Sequence, residues 1–115
     1  MSMPAAYDPQ QLIETVEGDT ELARELAAPY LTEETHLLNE LHLSLTASDP
    51  ERIQRVCHSL KGMLGQIQAK HAAGIAATIE ASARNLPLAS VATMVEDLGR
   101  SLKVVRAALS AGPLS

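Results

Sequence analysis

Leucine, isoleucine and valine recur along most of this chain at three- and four-residue steps, the spacing that lines one side of a helix. Leu22, Leu26, Tyr30, Leu37, Leu41 and Leu45 form the first long stripe, opened by Asp19 or Thr20 as cap and by acidic Glu21 in the first turn. Pro29 interrupts that stripe. It removes a backbone donor and crowds the preceding turn, so a kink or break is expected there. Ser48-Asp49-Pro50 then gives a cap followed by proline, and Ile53, Val56, Cys57, Leu60, Leu64 and Ile67 continue at helical spacing.

A fourth run over about residues 72–84 is rich in alanine, with Ile75 and Ile79 in register, and ends at Asn85-Leu86-Pro87. Val91, Val95, Leu98, Leu102, Val105 and Leu109 make the last stripe. Ahead of all these, Asp8-Pro9 opens a short helix through about Val16 that closes near Gly18. No stretch alternates as a half-buried strand does. The fold expected is all-α: an antiparallel, up-down-up-down four-helix bundle with a short extra N-terminal helix. It forms a single domain over residues 1–115, with the bundle at about residues 19–110.

Composition narrows the function. The chain is 46% hydrophobic and 20% charged, with two Tyr, no Phe and no Trp, so its core must be filled by aliphatic side chains and alanine. A net charge of −5 without aromatic platforms gives no support for nucleic-acid binding. The single Cys57 allows no internal disulfide and suits a reducing compartment. MSMPAAYDPQ has neither the basic nor the apolar part of a leader, and no apolar run reaches the length of a membrane span. The expectation is a cytoplasmic, monomeric domain that meets no membrane.

The stretch VCHSLKGMLG, residues 56–65, places two glycines inside the third helix. Each costs roughly 1 kcal/mol relative to alanine in a helix. At about 100° per residue, Val56, Leu60 and Ile67 lie roughly opposite His58, which therefore faces solvent. Lys61, Gly62, Gly65 and Ala69 fall on the histidine's own side. Glycine on an exposed face brings no packing benefit, so the bare backbone leaves room for something outside the protein to approach His58.

Those residue types suit phosphoryl chemistry. Neutral imidazole is a nucleophile near neutral pH without a separate base, and Lys61, one turn on, can offset the incoming charge. If the turn between the third and fourth helices centres near Ala69, His58 and Glu80 each lie eleven residues from it. An antiparallel hairpin then brings Glu80 level with the ring, where it can accept the imidazole N–H and fix the tautomer. Gln54 and Arg55, a turn before the histidine, join Gly62, Gly65 and Ala69 as the surface expected to meet a partner.

Other features read more plainly. Cys57 falls toward the core edge as a small hydrophobe, and Glu33-Glu34 reads as a solvated face. His36, His42 and His71 lack partners at a metal-ligand spacing, so no metal is expected on this chain.

HSLKG, with a bundle helix before it and small residues after it, resembles the phosphorylation motif of the histidine-containing phosphotransfer family of phosphorelays. YDPQQLIETVEGDTELARELAAPYLTEE resembles the helices that open that family's bundle. The resemblance implies that His58 accepts a phosphoryl group from a receiver-domain aspartyl phosphate and passes it to another receiver's aspartate. The chain would be a phosphoryl carrier more than a turnover enzyme. Lys61 and Gly62 match the family's lysine and glycine, and Glu80 falls where the family often has glutamate or glutamine. The implied partners are receiver domains and a hybrid sensor histidine kinase, and the receiver would supply Mg²⁺, so no cofactor belongs to this chain. One departure is Gln68, where the family commonly has glycine, and it bears on how the third helix ends. Met63 and Leu64 are bulkier than the residues common after the family's lysine and glycine, but both turn toward the core.

Two rival readings remain at this point: a docking module without transfer chemistry, and a domain phosphorylated from ATP by a separate kinase. No glycine-rich nucleotide loop is present, so in the second case the chain is only the substrate.

Overall fold

The first three helices each start where an aspartate side chain satisfies a free amide of the first turn. The computed structural model describes residues 7–111; the segments 1–6 and 112–115, and with them most of the opening MSMPAAYDPQ that carries no leader pattern, lie outside the described residues. Helix α1 (Pro9–Thr15) is capped by Asp8, whose carboxylate accepts from the Gln11 amide at 2.9 Å. Asp19 caps α2 (Thr20–Thr46) through the Leu22 amide, and Asp49 caps α3 (Pro50–Gln66) through that of Arg52. Helix α4 (Lys70–Ser82) follows a three-residue turn, and α5 (Leu88–Ala111) begins just after Pro87. No strand occurs among the described residues.

The chain leaves α1, α2 and α3 through left-handed backbone. Ser48 (φ 51°) and Gln68 (φ 62°) each occupy the position that closes a Schellman-type turn. Asp49 N donates to Ser44 O at 3.0 Å and Ala69 N donates to Leu64 O at 2.9 Å, satisfying carbonyls the helices leave open. Glu17 and Gly18 reverse the chain after α1 in the same region of backbone space.

The helices pack in sequence order, α2 on α3, α3 on α4 and α4 on α5, and α5 returns to α2 to close the bundle, with α1 against α2. Glu40 of α2 meets Arg52 of α3 at 2.6 Å, close to the loop that joins the two helices, as an antiparallel hairpin requires. Asp8 N donates to Gln68 O, tying the chain ahead of α1 to the α3–α4 turn. Ile53, Leu60 and Leu64 of α3, Ile79 of α4, Leu98 and Leu102 of α5 and Tyr30 of α2 are fully buried. Each contributes on the order of 1.5–3 kcal/mol by leaving water.

Three expectations need correction. Of the kink or break expected at Pro29, the break does not occur: helix α2 runs on through it, because one proline forfeits one backbone bond while both halves of the helix stay packed on the core. Its core stripe sits one residue from the expected line at the start: Ala23 and Ala27 are buried whereas Leu22 is exposed. Glu34 is not on a solvated face; only 4% of it is exposed.

Candidate functional site

His58 stands on α3 with its side chain 70% exposed, opposite the buried Ile53, Val56, Leu60 and Leu64 of the same helix. The amphipathic stripe fixes this facing, since burying the apolar side of α3 forces residue 58 outward. Across the hairpin, Glu80 of α4 reaches the ring: its Oε2 lies 2.8 Å from His58 Nδ1. The other carboxylate oxygen, Oε1, accepts from Lys61 Nζ at 2.6 Å. One carboxylate thus holds both the imidazole and the ammonium, and the mirror placement about Ala69 is realised in three dimensions. The hydrogen bond from Lys61 draws the Glu80 carboxyl below its ordinary value; burial opposes it, and a smaller lowering comes from His58.

The backbone past the histidine is bare. Gly62 and Gly65 are both exposed, and a methyl group built on either would meet nothing within 4 Å. Neither glycine is demanded by internal packing.

Two expected surface residues behave differently from their neighbours. Ala69 is fully buried, since α3 ends at Gln66 and the left-handed turn at Gln68 swings residue 69 into the core instead of along the histidine's face. Gln54 is engaged inside the protein: its Nε2 donates to the backbone carbonyl of Glu80 at 2.9 Å, and its Oε1 accepts from Arg84 Nε at 2.7 Å. Arg55 is exposed. Arg84 escaped the sequence reading, although a signal existed: Gln54 and Arg84 each lie fifteen residues from Ala69, on the same mirror that pairs His58 with Glu80.

Cys57, beside the histidine in sequence, is fully buried, and desolvation together with the Glu80 charge pushes its thiol up to about 12. It stays protonated and inert. Among the described residues, no group of three or more His, Cys, Asp or Glu side chains could hold a metal ion, and no helix is long and apolar enough to cross a membrane.

The family model of the Hpt domain matches residues 25–111, a span that contains all the residues of this cluster. The chain belongs to the Hpt domain family. The crystal structure of histidine-containing phosphotransfer protein B (HptB) from Pseudomonas aeruginosa PAO1 is similar over nearly its whole length. The two share 26% identity with a TM-score of 0.83, covering 95% of this chain and 94% of that one. No curated protein sequence matches the chain significantly. Family and fold together give this Hpt domain a histidine-phosphotransfer role in phosphorelays.

Proposed function

We propose that His58 is the residue that carries the phosphoryl group, taken from an aspartyl phosphate on a receiver domain and passed to an aspartate on another receiver. The observation that carries this reading is the pairing of His58 Nδ1 with Glu80 Oε2 at 2.8 Å on an otherwise open surface. An ionised carboxylate only accepts, so Nδ1 keeps the ring proton and donates it to Glu80. The lone pair is then on Nε2, the ring nitrogen outside this contact.

In the forward step, Nε2 attacks the phosphorus of the acyl phosphate, an N–P bond forms, and the O–P bond to the receiver's aspartate breaks to release its carboxylate. No proton has to move. The ring becomes cationic with Nδ1 still protonated, and the Glu80 carboxylate is placed to stabilise that charge. Lys61 sits at the same carboxylate and offsets the charge of the transferred phosphoryl oxygens. Gly62 and Gly65 leave the approach open for the receiver, and exposed Arg55 lies at its edge. Mg²⁺ belongs to the receiver in this scheme. A cytoplasmic setting, a monomeric carrier and a hybrid sensor histidine kinase upstream complete the reading.

The test is transfer from a phosphorylated receiver, with Mg²⁺, to the wild-type chain and to His58→Gln. The expected result is acid-labile, alkali-stable label on the wild type alone, with both proteins equally folded. Equal label on the two would move the chemistry to another histidine, and no label from several receivers would leave a docking module without transfer.

A further inference from the structure

The last four carbonyls of a helix have no partner within it and must find one elsewhere. In α4 all four do, and one does so across the hairpin. Ile79 O accepts from the Ala83 amide, Ser82 O from the Asn85 and Leu86 amides, and Ala81 O from the Asn85 side chain. Glu80 O accepts from Gln54 Nε2 of α3. The one carbonyl pinned by another helix is therefore that of the residue whose carboxylate holds His58 and Lys61. Gln54 is itself oriented, because Arg84 Nε donates to its Oε1 and so turns the amide nitrogen toward Glu80.

We propose that Gln54 is a positioning residue for the phosphoryl site: it fixes the last turn of α4 against α3, and through Glu80 it sets the tautomer of His58 and the place of Lys61. Arg84 acts one step further out, by holding the Gln54 amide in the donating orientation. The consequence for transfer rests on His58 being the acceptor; the consequence for the imidazole does not. A helix end is the part of a helix that frays most readily, and Glu80 lies within three residues of the end of α4. Without the clamp, the carboxylate moves relative to the ring, and displacements of about 1 Å at a reacting group are enough to slow a positioned reaction severely.

Gln54→Met keeps the length and helix propensity of the side chain while removing the donor. Two readouts on the full chain test the proposal. The first is the ¹⁵N spectrum of the His58 ring, which reports the fraction of Nδ1–H tautomer at a pH where the ring is neutral. The second is the rate of labelling by a phosphorylated receiver, measured for wild type, Gln54→Met, Glu80→Ala and the double variant. The expected results are a lower Nδ1–H fraction in Gln54→Met, a labelling rate about three- to tenfold lower, and no further loss when Gln54→Met is added to Glu80→Ala. Arg84→Ala is expected to move both readouts in the same direction by less. An unchanged tautomer fraction in folded Gln54→Met, or losses that multiply in the double variant, would overturn the proposal. If the wild type itself takes no label, the acceptor assignment fails, while the tautomer measurement still decides whether Gln54 positions the ring.

Discussion

Two carboxylates in this domain each gather a cation and a second donor, and they do so in opposite surroundings. Glu80 joins α4 to α3 near the surface, accepting from Lys61 at 2.6 Å and pairing with His58 at 2.8 Å. Glu34 joins α2 to α5 from a buried position, accepting from Arg106 at 3.2 Å and from Thr35 at 3.1 Å. Arg106 also donates to the Leu31 carbonyl at 2.9 Å, and nearby Tyr30 donates its hydroxyl to Leu102 O at 3.1 Å. Burial, and then the Glu34 charge, push the Tyr30 hydroxyl up, so it remains a donor. The difference lies in what water does at each place. The Glu34 carboxylate itself is kept from solvent, and losing its partner leaves a buried charge uncompensated. Around Glu80 solvent screens every charge, so the cluster adds little to stability and its worth lies in geometry. Each arrangement separates function from folding in a way mutants can read.

The sharpest way to expose that separation is a change that alters approach and nothing else. Gly62→Leu adds a side chain where the structure has open space, and leucine is the better helix former by roughly 0.5–1 kcal/mol. The variant is expected to melt no lower than wild type, yet to lose transfer from a phosphorylated receiver by about a hundredfold, since the blocking side chain stands one turn from the histidine. Thermal melts beside single-turnover labelling check both halves. Arg106→Met reverses the pattern. It leaves Glu34 buried without its cation, and although breaking a fully buried pair costs about 3–5 kcal/mol, the partial exposure of Arg106 lowers the expectation to about 2 kcal/mol. Denaturant unfolding should show that loss, with labelling per folded molecule unchanged.

The uneven legibility of these two clusters follows from the same contrast. His58, Lys61 and the outward glycines could be placed from the wheel of α3 because four aliphatic positions, Ile53, Val56, Leu60 and Leu64, determine which way that helix faces. Glu80 could be levelled with His58 because one short turn sets the register of the hairpin. Glu34 could not be found in this way. A glutamate beside another glutamate, on a helix whose buried face includes Ala23, Ala27 and Ser44, looks like a solvated charge until Arg106 arrives from 72 residues away. Small residues blur the stripe of α2, which is also why the leucine spacing points to Leu22 while the structure buries Ala23. The Gln54 contact was hidden for a different reason: its acceptor is a backbone carbonyl, and side-chain patterns carry no record of which carbonyls a helix end leaves open.

A smaller effect tests the electrostatic half of the Glu80 cluster. Its carboxyl titrates below the ordinary value of 4.5, first because of Lys61 and then because of His58. A depressed carboxylate contributes fully above the ordinary range, and its contribution is lost as pH falls through the depressed value. The cluster is therefore intact near neutral pH and opens only in acid. Lys61→Met is expected to return the Glu80 titration toward 4.5, and to do so by more than His58→Ala does, as read by NMR of the carboxyl carbon. The same lysine variant should slow labelling about tenfold without abolishing it. If His58→Ala moved the titration more, the imidazole and not the ammonium would be the main partner of Glu80.

The smallest predicted effect lies at the turn that creates the register of the whole site. Gln68 holds a φ of 62°, in the left-handed region that costs a side-chain-bearing residue about 1 kcal/mol and costs glycine little. The turn needs that conformation, because the Ala69 amide must reach Leu64 O to close α3 and bury residue 69. The Gln68 contribution to the turn is its backbone, whose carbonyl accepts from the Asp8 amide. Gln68→Gly keeps every one of those bonds and removes the strain, at some cost from a more flexible unfolded chain. The net expectation is a gain of about 0.5–1 kcal/mol, a rise of a few degrees in Tm, with labelling of His58 unchanged. A loss of stability would mean that the glutamine side chain supports the turn, and a change in labelling would mean that the hairpin register at His58 and Glu80 is still soft enough to be shifted from the turn.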